Sequence, residues 1–166
     1  MPREPYDPER YFSPFPEPDS QSRVGDYCGR SADEGFVRKG FNLLAEHRQG
    51  PVLVLVEDEW LVRMEIADAL ADHGFEVVEF TSGEDAVEWL MAGGMPDLLI
   101  SDIRLTGPIT GWDVADAYRA RLPTIPVIYA SANPCDEARM AKDSVFLDKP
   151  SRTDELVATC RQLLRS

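Results

Sequence analysis

Four separated positions in this 166-residue chain carry side chains that could do chemistry together. The acidic trio Glu57-Asp58-Glu59 follows the run VLVLV, Asp102 ends LLISD, Ser131 follows PVIYA and Lys149 follows SVFLD. Each run is short, apolar and rich in β-branched residues, the pattern of a strand buried on both faces. If these strands are parallel, their end residues meet over one crevice, and ligands of open α/β sheets bind at the carboxyl ends of the strands. Carboxylates gathered there repel: a pair about 4 Å apart at an effective dielectric of 20 costs roughly 4 kcal/mol. Lys149 alone does not balance that charge, so a divalent cation is implied. Oxygen ligands without clustered His or Cys select Mg2+. A carboxylate beside Mg2+, a lysine and a hydroxyl suits phosphoryl transfer, the carboxylate acting as nucleophile and forming an acyl-phosphate. Taken singly, each residue has a plainer reading: Asp102 a strand-end cap, Ser131 a turn hydroxyl, Lys149 a surface lysine, Glu59 an exposed acid favoured by a helix N-terminus.

The elements that must position these residues begin at Pro51. Strands are expected at 52–56, 75–80, 97–101, 126–130 and 144–148. Between them, a helix over 60–73 carries Glu65, Asp68 and Asp72 on one face, and Gly74 stops it. Ser82 can cap a helix running to about Ala92, another runs from about Trp112 to Arg121, and a short helical segment spans about Pro134–Ala141. The last helix is expected from near Ser151, where Ser151-x-x-Asp154 has the form of a capping box. Strands alternating with helices imply a parallel sheet covered on both faces.

The segments VLVLVEDE, LLISDIRLTG, PVIYASA and FLDKP resemble, in matching order over 51–166, those of the receiver domain of bacterial response regulators in two-component signal transduction. The resemblance implies a flavodoxin-like, doubly wound five-stranded parallel sheet of order 2-1-3-4-5. It implies that Asp102 is the phosphoacceptor, taking its phosphoryl group from a histidine kinase or a histidine phosphotransfer protein. Asp58, Asp102 and the backbone carbonyl of Arg104 would hold Mg2+, with Glu57 assisting through water. Ser131 would be the switch hydroxyl, Lys149 the lysine paired to the phosphoryl group and Phe146 the switching aromatic. Arg104 and Asn133 occupy the positions that tune phosphoryl lifetime. Two departures stand out. Typical receivers place a proline where this chain has Thr106, in a loop that is also one residue longer before Gly111. The stretch between Ser131 and Lys149 is about one helical turn shorter than usual, which removes part of a surface that many receivers use to bind partners.

Composition bounds the reading further. The chain carries a net charge of −13, of which residues 51–166 contribute −11. That charge argues against nucleic acid and against anionic membrane surfaces as partners. Residues 1–50 hold prolines at 2, 5, 8, 14, 16 and 18 and little periodicity, so they are expected to form a largely disordered extension ahead of a receiver domain at 51–166. Three scattered cysteines and no apolar signal segment fit a reduced, cytoplasmic protein. The whole reads as a stand-alone receiver without a DNA-binding output domain: a signalling module, not a turnover enzyme. Two alternatives remain. One is a Mg2+-dependent aspartyl-phosphate phosphohydrolase, although Arg104 stands where such enzymes carry a second acid. The other is a degenerate receiver that binds partners without phosphorylation.

Overall fold

The computed structural model describes residues 50–132, 136–149 and 152–165. All but the last residue of the expected 1–50 extension lies outside these, as do Asn133 and Ser151. The chain order is β1 (Val52–Val56), α1 (Trp60–Asp72), β2 (Glu76–Phe80), α2 (Gly83–Met91), β3 (Leu98–Asp102), α3 (Gly111–Arg121), β4 (Val127–Ser131), a single 3-10 turn (Glu137–Arg139), β5 (Val145–Asp148) and α4 (Thr153–Leu163). The strands form one parallel sheet in the order β2-β1-β3-β4-β5, the flavodoxin-like arrangement that the resemblance implies.

The three central strands are apolar on both faces because both faces are covered. Leu53, Leu55, Leu98, Ile100 and Ile128 point to one side, where Ile66 and Leu70 of α1 meet Leu156, Val157 and Cys160 of α4. By strand alternation, Val54, Val56, Leu99 and Tyr129 face the other side. There α2 and α3 supply the buried Val87, Leu90, Val114 and Tyr118, and the Tyr118 hydroxyl donates to the Ala86 carbonyl at 2.9 Å. Each fully buried Leu, Ile or Val side chain stabilises by roughly 2 kcal/mol.

The punctuation works as read. The Ser82 side chain accepts from the Asp85 amide at 3.2 Å, capping α2, and Gly74 adopts a φ of +84° that closes α1. Thr110 and Asp113 add a reciprocal capping box at the start of α3. On α1 the sheet-facing side is Ile66, Ala67 and Leu70. Leu61 and Met64, also apolar, lie exposed on the outside with Trp60.

The structure narrows two expectations. Of the short helical segment expected over about Pro134–Ala141, the described residues form the 3-10 turn Glu137–Arg139. The Asp136 side chain accepts from the Ala138 amide at 3.2 Å, while the Asp136 carbonyl accepts from the Arg139 amide at 2.9 Å. Those bonds close one tight turn, and Asp143, at φ +58°, then redirects the chain into β5. The last helix starts at Thr153 with Arg152 at its N-cap position and no side-chain cap bond.

Candidate functional site

The parallel register carries the chemistry-bearing residues to one end of the sheet. β1 ends at Val56, and its next two residues are Glu57 and Asp58. Beside it, Ser101 of β3 pairs with Val56, so Asp102 emerges next to the acidic pair. Asp102 in turn pairs with Ala130 of β4, and the Lys149 amide donates to the Ser131 carbonyl at 2.9 Å, setting Lys149 at the same end.

The side chains converge. Lys149 Nζ donates to Glu57 Oε2 at 2.5 Å and to Asp102 Oδ2 at 2.6 Å. Glu57 is 2% exposed, a charge that only pairing makes tolerable. Burial pushes its carboxyl upward, and the lysine pulls against that without cancelling it. For Lys149, burial favours the neutral amine, but hydrogen bonds to Asp102 and Glu57 outweigh it and hold the ammonium above its ordinary range. One carboxylate oxygen from each of Glu57, Asp58 and Asp102 lies within 4.8 Å of the others. Three acids against one lysine leave an excess of negative charge that a small cation would offset. The all-oxygen donor set fits Mg2+.

The surrounding backbone braces Asp102. The Arg104 amide donates to Asp102 Oδ1 at 3.0 Å. Gly111, the first residue of α3, packs so closely on the Asp102 carbonyl that an added Cβ would run into that oxygen. The Thr106 amide and hydroxyl both donate to Asp58 Oδ2, at 3.1 and 2.5 Å. On α1, Arg63 donates to the Glu57 carbonyl at 2.8 Å and pairs with Glu79 at 3.4 Å.

The remaining candidates sit nearby with different surroundings. Ser131 is buried at the end of β4. Phe146 is half-buried on β5, in register with Tyr129. The Arg104 side chain is exposed, Glu59 is an exposed N-cap residue, and Asn133 is not among the described residues. The Thr106–Asp58 contact escapes sequence reasoning altogether. The only signal for it was that Thr106 fills a position where the resemblance leads one to expect proline.

A second cluster adjoins the site on the α3 side. The Trp112 ring lies 4.4 Å from that of Tyr129, and the Arg139 guanidinium stands 5.7 Å over Trp112. Burial pushes the Tyr129 hydroxyl up to about 12, and this neutral phenol accepts from the Ala141 amide at 3.4 Å.

Comparison with known proteins agrees with this geometry. The sequence profile of the response regulator receiver domain matches residues 53–161. The chain belongs to the response regulator receiver family. This receiver is 32% identical over 125 residues to the alkaline phosphatase synthesis transcriptional regulatory protein SphR of Synechococcus elongatus, covering 68% of this chain and 48% of that protein. It is 32% identical over 109 residues to the transcriptional regulatory protein PdtaR of Mycobacterium tuberculosis, covering 63% and 52%. The chain therefore spans about half the length of these curated relatives. Among solved structures it is similar to a response regulator receiver protein from Sinorhizobium medicae, with a TM-score of 0.69 and 32% identity over 71% of this chain and 97% of that one. It is also similar to the receiver domain of the hybrid histidine kinase CckA, with a TM-score of 0.56 and 34% identity over 68% and 98%. No helix among the described residues is long and apolar enough to cross a membrane.

Proposed function

We propose that this receiver is a phosphorylation-controlled interaction module of a cytoplasmic phosphorelay, with Asp102 as phosphoacceptor and Mg2+ as cofactor. One observation carries the reading: Lys149 Nζ bridges Asp102 and Glu57 at the strand ends, with Asp58 in the same cluster. An Asp102 oxygen attacks the phosphorus of a phosphohistidine on a histidine kinase or phosphotransfer protein. The P–O bond to Asp102 forms as the P–N bond breaks, and the imidazole leaves with the bonding pair and takes up a proton. Asp58, Asp102 and the Arg104 carbonyl would hold Mg2+, with Glu57 supporting it through water. When bound, the ion offsets charge on the phosphoryl oxygens.

The protein's own groups do the rest. The Arg104 amide and Lys149 orient the Asp102 carboxylate before transfer. Once an Asp102 oxygen carries the phosphoryl group as an acyl-phosphate, Lys149 turns its ammonium to it, and the Ser131 hydroxyl donates to a phosphoryl oxygen. Phosphorylation adds about −1.5 to −2 of charge. Through Ser131 and Phe146 that charge shifts an existing equilibrium of the distal surface. Arg104 and Asn133 tune how long the acyl-phosphate lasts. The protein acts as a signalling module without turnover of a separate substrate, and its partners are proteins, not nucleic acid or membrane.

The test is labelling by a small acyl-phosphate donor. Wild-type protein should be labelled in Mg2+ and not in excess chelator, and Asp102→Asn should not be labelled. Equal labelling of both proteins sinks the proposal. Steady phosphate release from small phosphate esters would favour a phosphohydrolase instead. Partner binding unchanged by Asp102→Ala would favour a phosphorylation-independent binding module.

A further inference from the structure

Thr106 spends both of its donors on a single acceptor. Its backbone N–H and its hydroxyl point to Asp58 Oδ2, 48 residues away in sequence. The next residue, Gly107, has a φ of +122°, and a Cβ there would meet the Glu84 carboxylate at 2.9 Å. The loop after β3 is therefore hydrogen-bonded to Asp58 on one side and packs closely against the start of α2 on the other. A proline at 106 could supply neither donor, since it has no N–H and no hydroxyl.

Asp58 is one of the three acids whose oxygens cluster within 4.8 Å. Two donors on Oδ2 restrain the rotation of the carboxylate, and with it the oxygen that it offers to the cluster. The same bonds draw negative charge away from the cluster, which lowers its self-repulsion. Groups that hydrogen-bond a metal-ligating carboxylate set its orientation and typically change metal affinity about 10- to 100-fold when removed.

We infer that Thr106 is a positioning residue for the cation, holding Asp58 in its ligating orientation and so coupling ion occupancy to order in the β3–α3 loop. The inference rests on the metal reading above and extends it to a residue outside the acid cluster. Because coupling is reciprocal, the ion must steady the loop as much as the loop favours the ion.

Calorimetric titration of the full chain with Mg2+ tests this, alongside amide exchange at Leu105 and Gly107. Thr106→Val keeps the shape and the N–H but loses the hydroxyl; its Mg2+ dissociation constant should rise about 10-fold. Thr106→Pro should be weaker still and should lose the ion-dependent slowing of exchange at Leu105 and Gly107. Thr106→Ser keeps both donors and should match wild type in both readouts. Asp58→Asn is the control. If wild type and Asp58→Asn both give no Mg2+ heat, the metal reading fails and takes this inference with it. If wild type binds, Asp58→Asn does not, and Thr106→Val and Thr106→Pro bind like wild type, the role of Thr106 alone is overturned. Thr106→Val retains the volume and the N–H, so it decides the matter even if the proline variant fails to fold.

Discussion

The acid end of the sheet and the β4–β5 connection lie near each other but are held by different kinds of bond. At the acid end, charged side chains from β1, β3 and β5 meet because the strand register delivers them there, and the lysine–carboxylate contacts cross 92 and 47 residues of sequence. In the connection, one short turn is pinned by side-chain-to-backbone bonds and aromatic stacking. Arg119 of α3 donates to the Pro123 carbonyl at 3.0 Å and to the Lys142 carbonyl at 2.7 Å, Tyr129 accepts from Ala141, and Arg139 covers Trp112. The first region is a charge arrangement with an excess that invites a ligand. The second is a clasp that fastens the described part of its connection to α3, with the buried Arg119 Nε left without a hydrogen-bond partner among the described residues. One end of a sheet can thus gather charge through strand register while the adjoining connection is held by bonds to a neighbouring helix.

The sharpest way to separate the two regions is to remove the lysine. Lys149→Met leaves the buried Glu57 carboxylate without its partner, and the expected loss is about 3 kcal/mol of unfolding free energy. Urea titration should show part of that loss recovered in Mg2+, because a cation can take over the charge; equal stability with and without Mg2+ would count against the cluster as a cation site. A smaller effect is expected on the other side of the comparison. Arg119→Gln should cost about 1 kcal/mol and quicken amide exchange over residues 137–142 while leaving Asp102 labelling within twofold of wild type. A larger change in labelling would show that the clasp and the acid end act as one unit.

A pH-dependent effect lies in the core behind both regions. Burial pushes the Cys160 thiol up to about 12, so the folded state holds this proton more tightly than the unfolded chain does. Its contribution to stability is complete below about pH 9, the ordinary thiol range, and is lost as pH rises from there through the folded value. Chemical denaturation of wild type and Cys160→Ala, compared between pH 8 and 11, should show the steeper decline in wild type; parallel curves would refute it. The buried tyrosines are common to both proteins and cancel in the difference.

Much of this was legible in the chain. The β-branched runs, the alternation with helices and the terminal acids and lysine are local features, and a parallel sheet needs only those to bring Glu57, Asp58, Asp102 and Lys149 together. What stayed hidden depends on distant partners. The turn at Glu137–Arg139 gave a short helical pattern, and the bonds from Arg119 and to Tyr129 that hold the connection come from other elements. On α1, the spacing of Glu65, Asp68 and Asp72 marked a polar side but did not say which apolar side meets the sheet. Leu61 and Met64 therefore turned out exposed. The bond from Thr106 to Asp58 spans two loops, and no periodicity encodes it.

Gly111 decides how closely the acid end and α3 can approach. Its missing side chain seats the end of α3 directly on the Asp102 carbonyl, with no spacer between the strand tip and the helix. The helix that begins at this contact carries Trp112 beside it and Arg119 near its far end. The clasp over β4 and β5 is fastened to both of those residues, so α3 is the element that the acid end and the connection share.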